Sequence, residues 1–218
     1  MFIFSLPPSS LRGWVLAVLF ALVPTAFAAG KILIHGDSLS AGYGIRRDAA
    51  WPALLEPKLK KEGFDYTVIN VSISGETTSG GLARLPAALK RHRPVVVVIA
   101  LGSNDGLRGI PVAVMRGNVE AMARIARAAG SRVLVVGQRL PPNFGNYADG
   151  FHAAFGEAAR AQKAAYVDFL LDGVADRPEF FQPDNLHPTA EAQPRLLENV
   201  WKGLGPLLKR GANPRSKP

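Results

Sequence analysis

The run Val95-Val96-Val97-Val98-Ile99-Ala100 is apolar at every position, and this constrains the fold more than any other stretch. A strand with one wet face alternates apolar and polar residues, whereas a strand without alternation is covered on both faces, as in the middle of a parallel sheet. Strand-like segments occupy 31–35, 66–71, 94–101, 132–137 and, more weakly, 165–169. Longer helical patterns separate them. Strands joined by helical crossovers argue for an α/β fold around a parallel sheet, with the 94–101 strand at its middle.

The helical patterns carry their own punctuation. Between 111 and 129, Val112, Met115, Val119, Met122, Ala126 and Ala129 recur every three or four residues. Pro111 suits the first turn of that helix and Gly130 its C-terminal cap. Asp48 is placed to cap a helix presenting Trp51, Leu54, Leu55 and Leu59 and ending at Gly63, bent or shortened by Pro57. Leu82, Leu85 and Leu89 mark a third helix, interrupted by Pro86. Thr189 is placed to cap the last, whose buried face is Leu196, Leu197, Val200, Trp201 and Leu204.

The first 28 residues stand apart. Arg12 precedes an apolar run from Trp14 to Val23, and Ala26-Phe27-Ala28 gives a small-x-small cleavage pattern. This is the pattern of a secretory signal peptide cleaved after Ala28, with an uncleaved anchor as the alternative, so an exported mature chain, periplasmic or secreted, is expected. The run is short for a membrane span, which needs about 20 residues. There is no cysteine, hence no disulfide framework, no thiolate nucleophile and no lipid-bearing cysteine at the cleavage site.

The remaining 29–207 reads as one domain, followed by a tail over 208–218. The formal charge of +9 is concentrated at the ends, since Lys209, Arg210, Arg215 and Lys217 lie in that tail with no acidic residue. The body carries a modest positive excess without the interleaved aromatic and basic residues of a nucleic-acid platform. No nucleic-acid partner is expected, and the chain is expected to be a monomer. The tail reads as a solvated, disordered end with some attraction for anionic lipid.

In an open parallel sheet, the C-terminal strand ends and the loops after them collect at one rim. Polar clusters fall there after the first three strands: Ser38 in Gly36-Asp37-Ser38-Leu39, the stretch Ser72-Ile73-Ser74-Gly75-Glu76-Thr77, and Gly102-Ser103-Asn104-Asp105-Gly106. A fourth, Asp184-Asn185-Leu186-His187-Pro188, precedes the last helix. A serine nucleophile needs a base within hydrogen-bond reach, an acid fixing the tautomer of that base, and donors around the oxygen that becomes negative. Ser38, His187 and Asp184 can fill the first three roles. The Asn104 amide and the Gly75 N–H can donate to the oxyanion. The Ser38 stretch is not the Gly-x-Ser-x-Gly elbow of another hydrolase fold, because Asp37 precedes the serine and Ser40 replaces the second glycine.

Gly-Asp-Ser-Leu at Gly36 to Leu39, Gly75 in its loop, Gly-x-Asn-Asp at Gly102 to Asp105 and Asp-x-x-His at Asp184 to His187 resemble, in order and spacing, the four blocks of the GDSL-type (serine, glycine, asparagine, histidine; SGNH) hydrolases. Longer stretches from Gly36, Ala49, Gly81 and Asn104 resemble the branch containing bacterial periplasmic acyl-CoA thioesterases, also described as lysophospholipases and arylesterases. The resemblance spans about residues 32–207. It implies a flavodoxin-like three-layer α/β/α sandwich, Ser38 as nucleophile, Asp184 and His187 as its activators, and an oxyanion hole from the Ser38 N–H, the Gly75 N–H and the Asn104 amide. With no cysteine, and with the four histidines at 35, 92, 152 and 187 lacking metal-ligand spacing, no metal is expected, and no cofactor. Ser103 departs from the branch, which has glycine there.

The substrate expected on this basis is a small acyl ester or thioester. Leu107, Arg108 and Ile110 after the Asn104 turn, with Pro141, Pro142, Asn143 and Phe144 after the fourth strand, provide two loops able to flank an acyl chain. A carbohydrate O-acetylesterase or short-chain arylesterase would share the catalytic residues and differ in chain-length preference. A nucleotide- or flavin-binding module is disfavoured, because Gly42-Tyr43-Gly44-Ile45-Arg46-Arg47 lacks the third glycine of the dinucleotide fingerprint. A metal hydrolase would require Asp37, Asp105, Asp184 and His187 to converge.

Overall fold

The computed structural model describes residues 30–208. The expected signal peptide, and the expected tail beyond Leu208, lie outside the described residues. In chain order the elements are β1 (Gly30–Gly36), α1 (Ser38–Ala41), α2 (Trp51–Lys61), β2 (Tyr66–Asn70), α3 (Thr78–His92), β3 (Val96–Ala100), α4 (Ser103–Leu107), α5 (Val112–Ala128), β4 (Arg132–Val136), α6 (Asn146–Ala161), β5 (Ala165–Val167) and α7 (Gln193–Leu204).

All five strands are parallel, in the order β2-β1-β3-β4-β5. This is the 2-1-3-4-5 order of flavodoxin-like sheets. β3 is the middle strand, and its lack of alternation has a direct cause. Val96, Val98 and Ala100 face one layer with Trp51, Leu55 and Leu59 of α2 and Leu196, Val200 and Leu204 of α7. Val97, Ile99 and Leu101 face the other, with Leu85 of α3, Met115, Val119 and Met122 of α5, and Phe151 and Phe155 of α6. The result is a three-layer α/β/α sandwich. Truncating a buried leucine such as Leu85, 0% exposed, removes about 2–5 kcal/mol of stability.

Two helix starts depart from the sequence expectation. Asp48 does not cap α2. A 3₁₀ turn over Arg47–Ala49 intervenes, Asp48 forms an exposed pair with Arg46, and the Trp51 N–H donates instead to Gln193 Oε1 at 3.0 Å. Thr189 does not cap α7 either. Three further residues precede Gln193, and the Thr189 N–H donates to the Phe180 carbonyl. Pro57 and Pro86 sit inside α2 and α3, which continue through them. Gly130, at φ 86°, directly follows the Ala129 cap of α5.

The strand order fixes where a ligand can sit. The chain leaves β1 toward β2 and returns on the other side to β3, so the crevice opens between the C-terminal ends of β1 and β3. Gly36 pairs with Ala100 across that point. Ser38 lies two residues beyond Gly36, and Asn104 four beyond Ala100.

Candidate active site

Ser38 opens α1, a single turn held by Asp37, whose Oδ1 accepts from the Leu39 N–H at 3.0 Å. A four-residue helix aligns few peptide dipoles, so α1 contributes its individual N–H groups rather than a macrodipole. Asp37 is fully buried, and burial pushes its carboxyl up to about 7. The Leu39 N–H and the Ser103 hydroxyl pull against that rise, and Asp105 adds to it. Two residues earlier, burial and the nearby Arg84 lower the His35 imidazole to about 4, while its Nε2 pairs with the Gly81 carbonyl at 2.9 Å.

The 180–189 segment brings the base to the serine. It doubles back on itself, with an antiparallel bridge between Phe181 and Pro188 and bonds from the Gln182 N–H to the His187 carbonyl and from the Thr189 N–H to the Phe180 carbonyl, each 2.8 Å. At its tip, Asp184 Oδ1 accepts the Leu186 and His187 N–H groups, both at 3.0 Å. Asp184 Oδ2 is 2.6 Å from His187 Nδ1, and His187 Nε2 is 2.9 Å from Ser38 Oγ. The His187 backbone N–H, then its ring, then the Leu186 N–H hold the Asp184 carboxyl down at about 2. An ionised carboxylate only accepts, so Nδ1 carries the ring proton and Nε2 presents its lone pair to the serine hydroxyl. That is the tautomer a general base requires.

Among the described residues, neither the Ser38 N–H nor the Gly75 N–H has a hydrogen-bond partner. Asn104 Nδ2 donates one hydrogen to the Glu76 carbonyl at 3.0 Å, leaving the amide a second. All three residues line one cleft of about 270 Å³ with His187. Gly75 has φ 79°, and a β-carbon there would meet nothing within 4 Å. Glycine is therefore favoured by the left-handed backbone, not by crowding.

Of the residues expected to flank an acyl chain, Leu107 and Pro141 line the cleft. Arg108, Ile110 and Phe144 do not. Arg108 donates to the Gly75 carbonyl at 3.2 Å, the Ile110 carbonyl accepts from the Tyr147 hydroxyl at 2.6 Å, and Phe144 packs on the Tyr147 ring. Their contacts tie neighbouring segments together instead. The cleft takes its apolar lining instead from Leu39, Tyr43, Leu140, Leu171 and Leu186, with Arg139 alongside. Arg139 is paired with Asp168 and lies over the Phe169 ring. Gln138, Arg139 and Leu140 follow β4 after Gly137, so the same strand-end rule that found Ser38 identifies them; Leu171 lies in the segment after β5.

The candidate metal set does not converge. Asp37 serves α1, and Asp105 accepts from the Thr78 hydroxyl at 2.5 Å and the Thr78 N–H at 2.8 Å. Among the described residues, no group of three or more histidine, cysteine, aspartate or glutamate side chains is placed to hold a metal ion.

Residues 34–194 match the model of the GDSL-like lipase/acylhydrolase family. The chain belongs to that family. It is 50% identical to the esterase TesA of Pseudomonas aeruginosa over 83% of this chain and 90% of the relative. It is 40% identical to the thioesterase 1/protease 1/lysophospholipase L1 of Escherichia coli over 89% of this chain and 94% of that one. A crystal structure of TesA superposes with a TM-score of 0.80 at 50% identity, covering 82% of this chain and 99% of the other. Membership in the GDSL-like family agrees with the four-block resemblance and with the three-layer sandwich.

Proposed function

We propose that this protein hydrolyses acyl esters and thioesters, including acyl-CoA, lysophospholipids and aryl esters, through an acyl-Ser38 intermediate. The observation that carries this is the unbroken relay from Asp184 Oδ2 through His187 to Ser38 Oγ, at 2.6 and 2.9 Å, opening on an apolar cleft. His187 Nε2 takes the Ser38 proton as Oγ attacks the acyl carbonyl. The Ser38 N–H, Gly75 N–H and Asn104 amide receive the oxyanion, and His187 returns the proton to the leaving alcohol or thiol. Water then attacks the acyl-serine by the same route. Leu107, Leu140, Pro141, Leu171 and Leu186 supply apolar surface for the acyl chain, and the names of the two relatives favour esters and thioesters over acetylated carbohydrate.

The test is hydrolysis of matched p-nitrophenyl esters and acyl-CoA thioesters from acetyl to palmitoyl, with Ser38→Ala as control. Activity on medium or long chains that disappears in the variant is expected. Activity confined to acetyl esters would favour an acetylesterase, and undiminished activity in Ser38→Ala would remove the nucleophile. We also propose export by cleavage after Ala28, a monomeric periplasmic or secreted enzyme, and transient contact with membrane lipid. An exported protein whose sequence starts upstream of Ala29 would contradict the cleavage.

A further inference from the structure

We infer that Gln182 is a positioning residue for the catalytic base, clamping the segment that carries His187 onto the turn that carries Ser38. The inference rests on the Ser38–His187 assignment proposed above. The 180–189 segment is closed by its own hydrogen bonds, so its internal shape needs no help from the rest of the protein. Its docking is a separate matter. The serine and histidine are 149 residues apart in sequence, and a base works only when its lone pair meets the hydroxyl within about 2.6–3.2 Å.

The Gln182 carboxamide spans that junction. Its Nε2 donates to the Tyr43 carbonyl at 2.8 Å, beyond the end of α1, and to the Pro188 carbonyl at 3.0 Å, next to His187. Its backbone N–H donates to the His187 carbonyl at 2.8 Å. One residue thus holds the successive carbonyls of His187 and Pro188 and also the far loop, its side chain using both amide hydrogens. Tyr43, brought in by the same contact, lays its ring against the imidazole, with centroids 4.3 Å apart and planes at 35°.

The Ser38 side is shaped to receive the carboxamide. Gly44 has φ 71°, and a β-carbon there would stand 2.0 Å from Gln182 Oε1. Gly44 therefore meets two demands at once, the left-handed turn and the approach of Gln182. The side chain makes no hydrogen bond to the reacting groups and is absent from the cleft lining, so its effect should fall on turnover rather than on substrate binding. A misplacement of about 1 Å at a reacting group can cost on the order of 100-fold.

The experiment compares Gln182→Leu, Gly44→Ala and the double variant with the wild type. Readouts are kcat and KM on a p-nitrophenyl ester, the rate at which an organophosphonate inactivates Ser38, and thermal unfolding as a folding check. For Gln182→Leu, kcat and the inactivation rate are expected to fall together by about 10- to 100-fold, with KM within about threefold. In the double variant, Gly44→Ala should cost clearly less than it does alone, because the carboxamide it displaces is already gone. Wild-type kcat in Gln182→Leu, a change in KM alone, or fully additive costs would each overturn the inference. If Gln182→Leu unfolds, Gln182→Glu keeps the length, removes both amide hydrogens, and is held to the same criteria. A wild-type enzyme without Ser38-dependent ester hydrolysis would refute the proposed function instead, and the two failures are distinguishable.

Discussion

Asp37 sits beside the nucleophile with a carboxyl that burial pushes from 3.8 up to about 7, and Asp37→Asn isolates the consequence. Between those two values the unfolded chain has lost the proton and the folded chain retains it, so the unfolded state binds fewer protons. Stability contributed by this carboxyl is therefore greatest below pH 3.8 and declines as pH rises, until the folded group ionises near pH 7. The slope is about 1.4 kcal/mol per pH unit. Asparagine has the shape of the protonated acid, does not titrate, and can still accept the Leu39 N–H as a helix cap. The stability of Asp37→Asn relative to wild type should thus improve by about 2 kcal/mol between pH 4.5 and 6.5. Urea unfolding of both proteins at several pH values in that window measures it. His35→Gln provides the opposite control. Its imidazole is lowered from 6.5 to about 4, so the unfolded state gains the proton first as pH falls, and the His35 contribution is lost as pH drops from 6.5 toward 4. Relative to wild type, His35→Gln should improve as pH falls across the same window. The two slopes have opposite signs, so the variants separate contributions that offset each other in the wild type. A relative stability of Asp37→Asn that is independent of pH would mean that the folded carboxyl ionises normally, and the reasoning would fail.

Asn104→Ala removes one oxyanion donor and should lower kcat by about 100- to 1,000-fold with a small change in thermal unfolding; near-normal turnover would exclude the role. Asp184→Asn places an N–H against His187 Nδ1 and favours the wrong tautomer, so kcat should fall by about 10⁴, and a loss below tenfold would show that the carboxylate does not set the ring. Because Asp184 is held at about 2, it stays charged across the working range. Asp184 should therefore contribute no ionisation of its own between pH 5 and 8, and a carboxyl titration seen at Asp184 by NMR in that window would contradict this.

The sheet and the four polar clusters were legible because each rests on a local signal. Val95 to Ala100 states its own burial, and the strand-end rule needs only the position of a strand. The start of α5 at Pro111 was legible too, but those near Asp48 and Thr189 were not. Both are good capping residues in the right region, but turns of three residues displace the true starts to Trp51 and Gln193. Gln193 then caps Trp51 across 142 residues of sequence, a long-range solution that no local pattern encodes. Gln182 escaped for the same reason, since its partner at Tyr43 is 139 residues away. Arg108, Ile110 and Phe144 belong to the loops that border the cleft but are not in its lining, because a loop without periodicity does not declare which way its side chains turn.

The oxyanion side of the site shows how such non-local bonds serve the chemistry. The 71–77 loop has little secondary structure to hold it, yet a developing charge is best met by donors that need not reorganise. Arg84 of α3 grips the loop at the Val71 carbonyl, 2.6 Å, and at the Glu76 carboxylate, 2.5 Å. Asn104 takes the Glu76 carbonyl and Arg108 the Gly75 carbonyl. Asp105, between them in sequence, accepts the hydroxyl and N–H of Thr78 at the start of α3, so the helix holding the loop is tied to the segment that carries Asn104. These braces on 71–76 end on acceptors, carbonyl oxygens or a carboxylate, and none consumes the Gly75 N–H. The loop is thus fixed from two crossovers while the donor that the oxyanion would need is left unspent. Loosening Arg84 or Arg108 should therefore act on turnover through Gly75, although neither side chain lines the cleft.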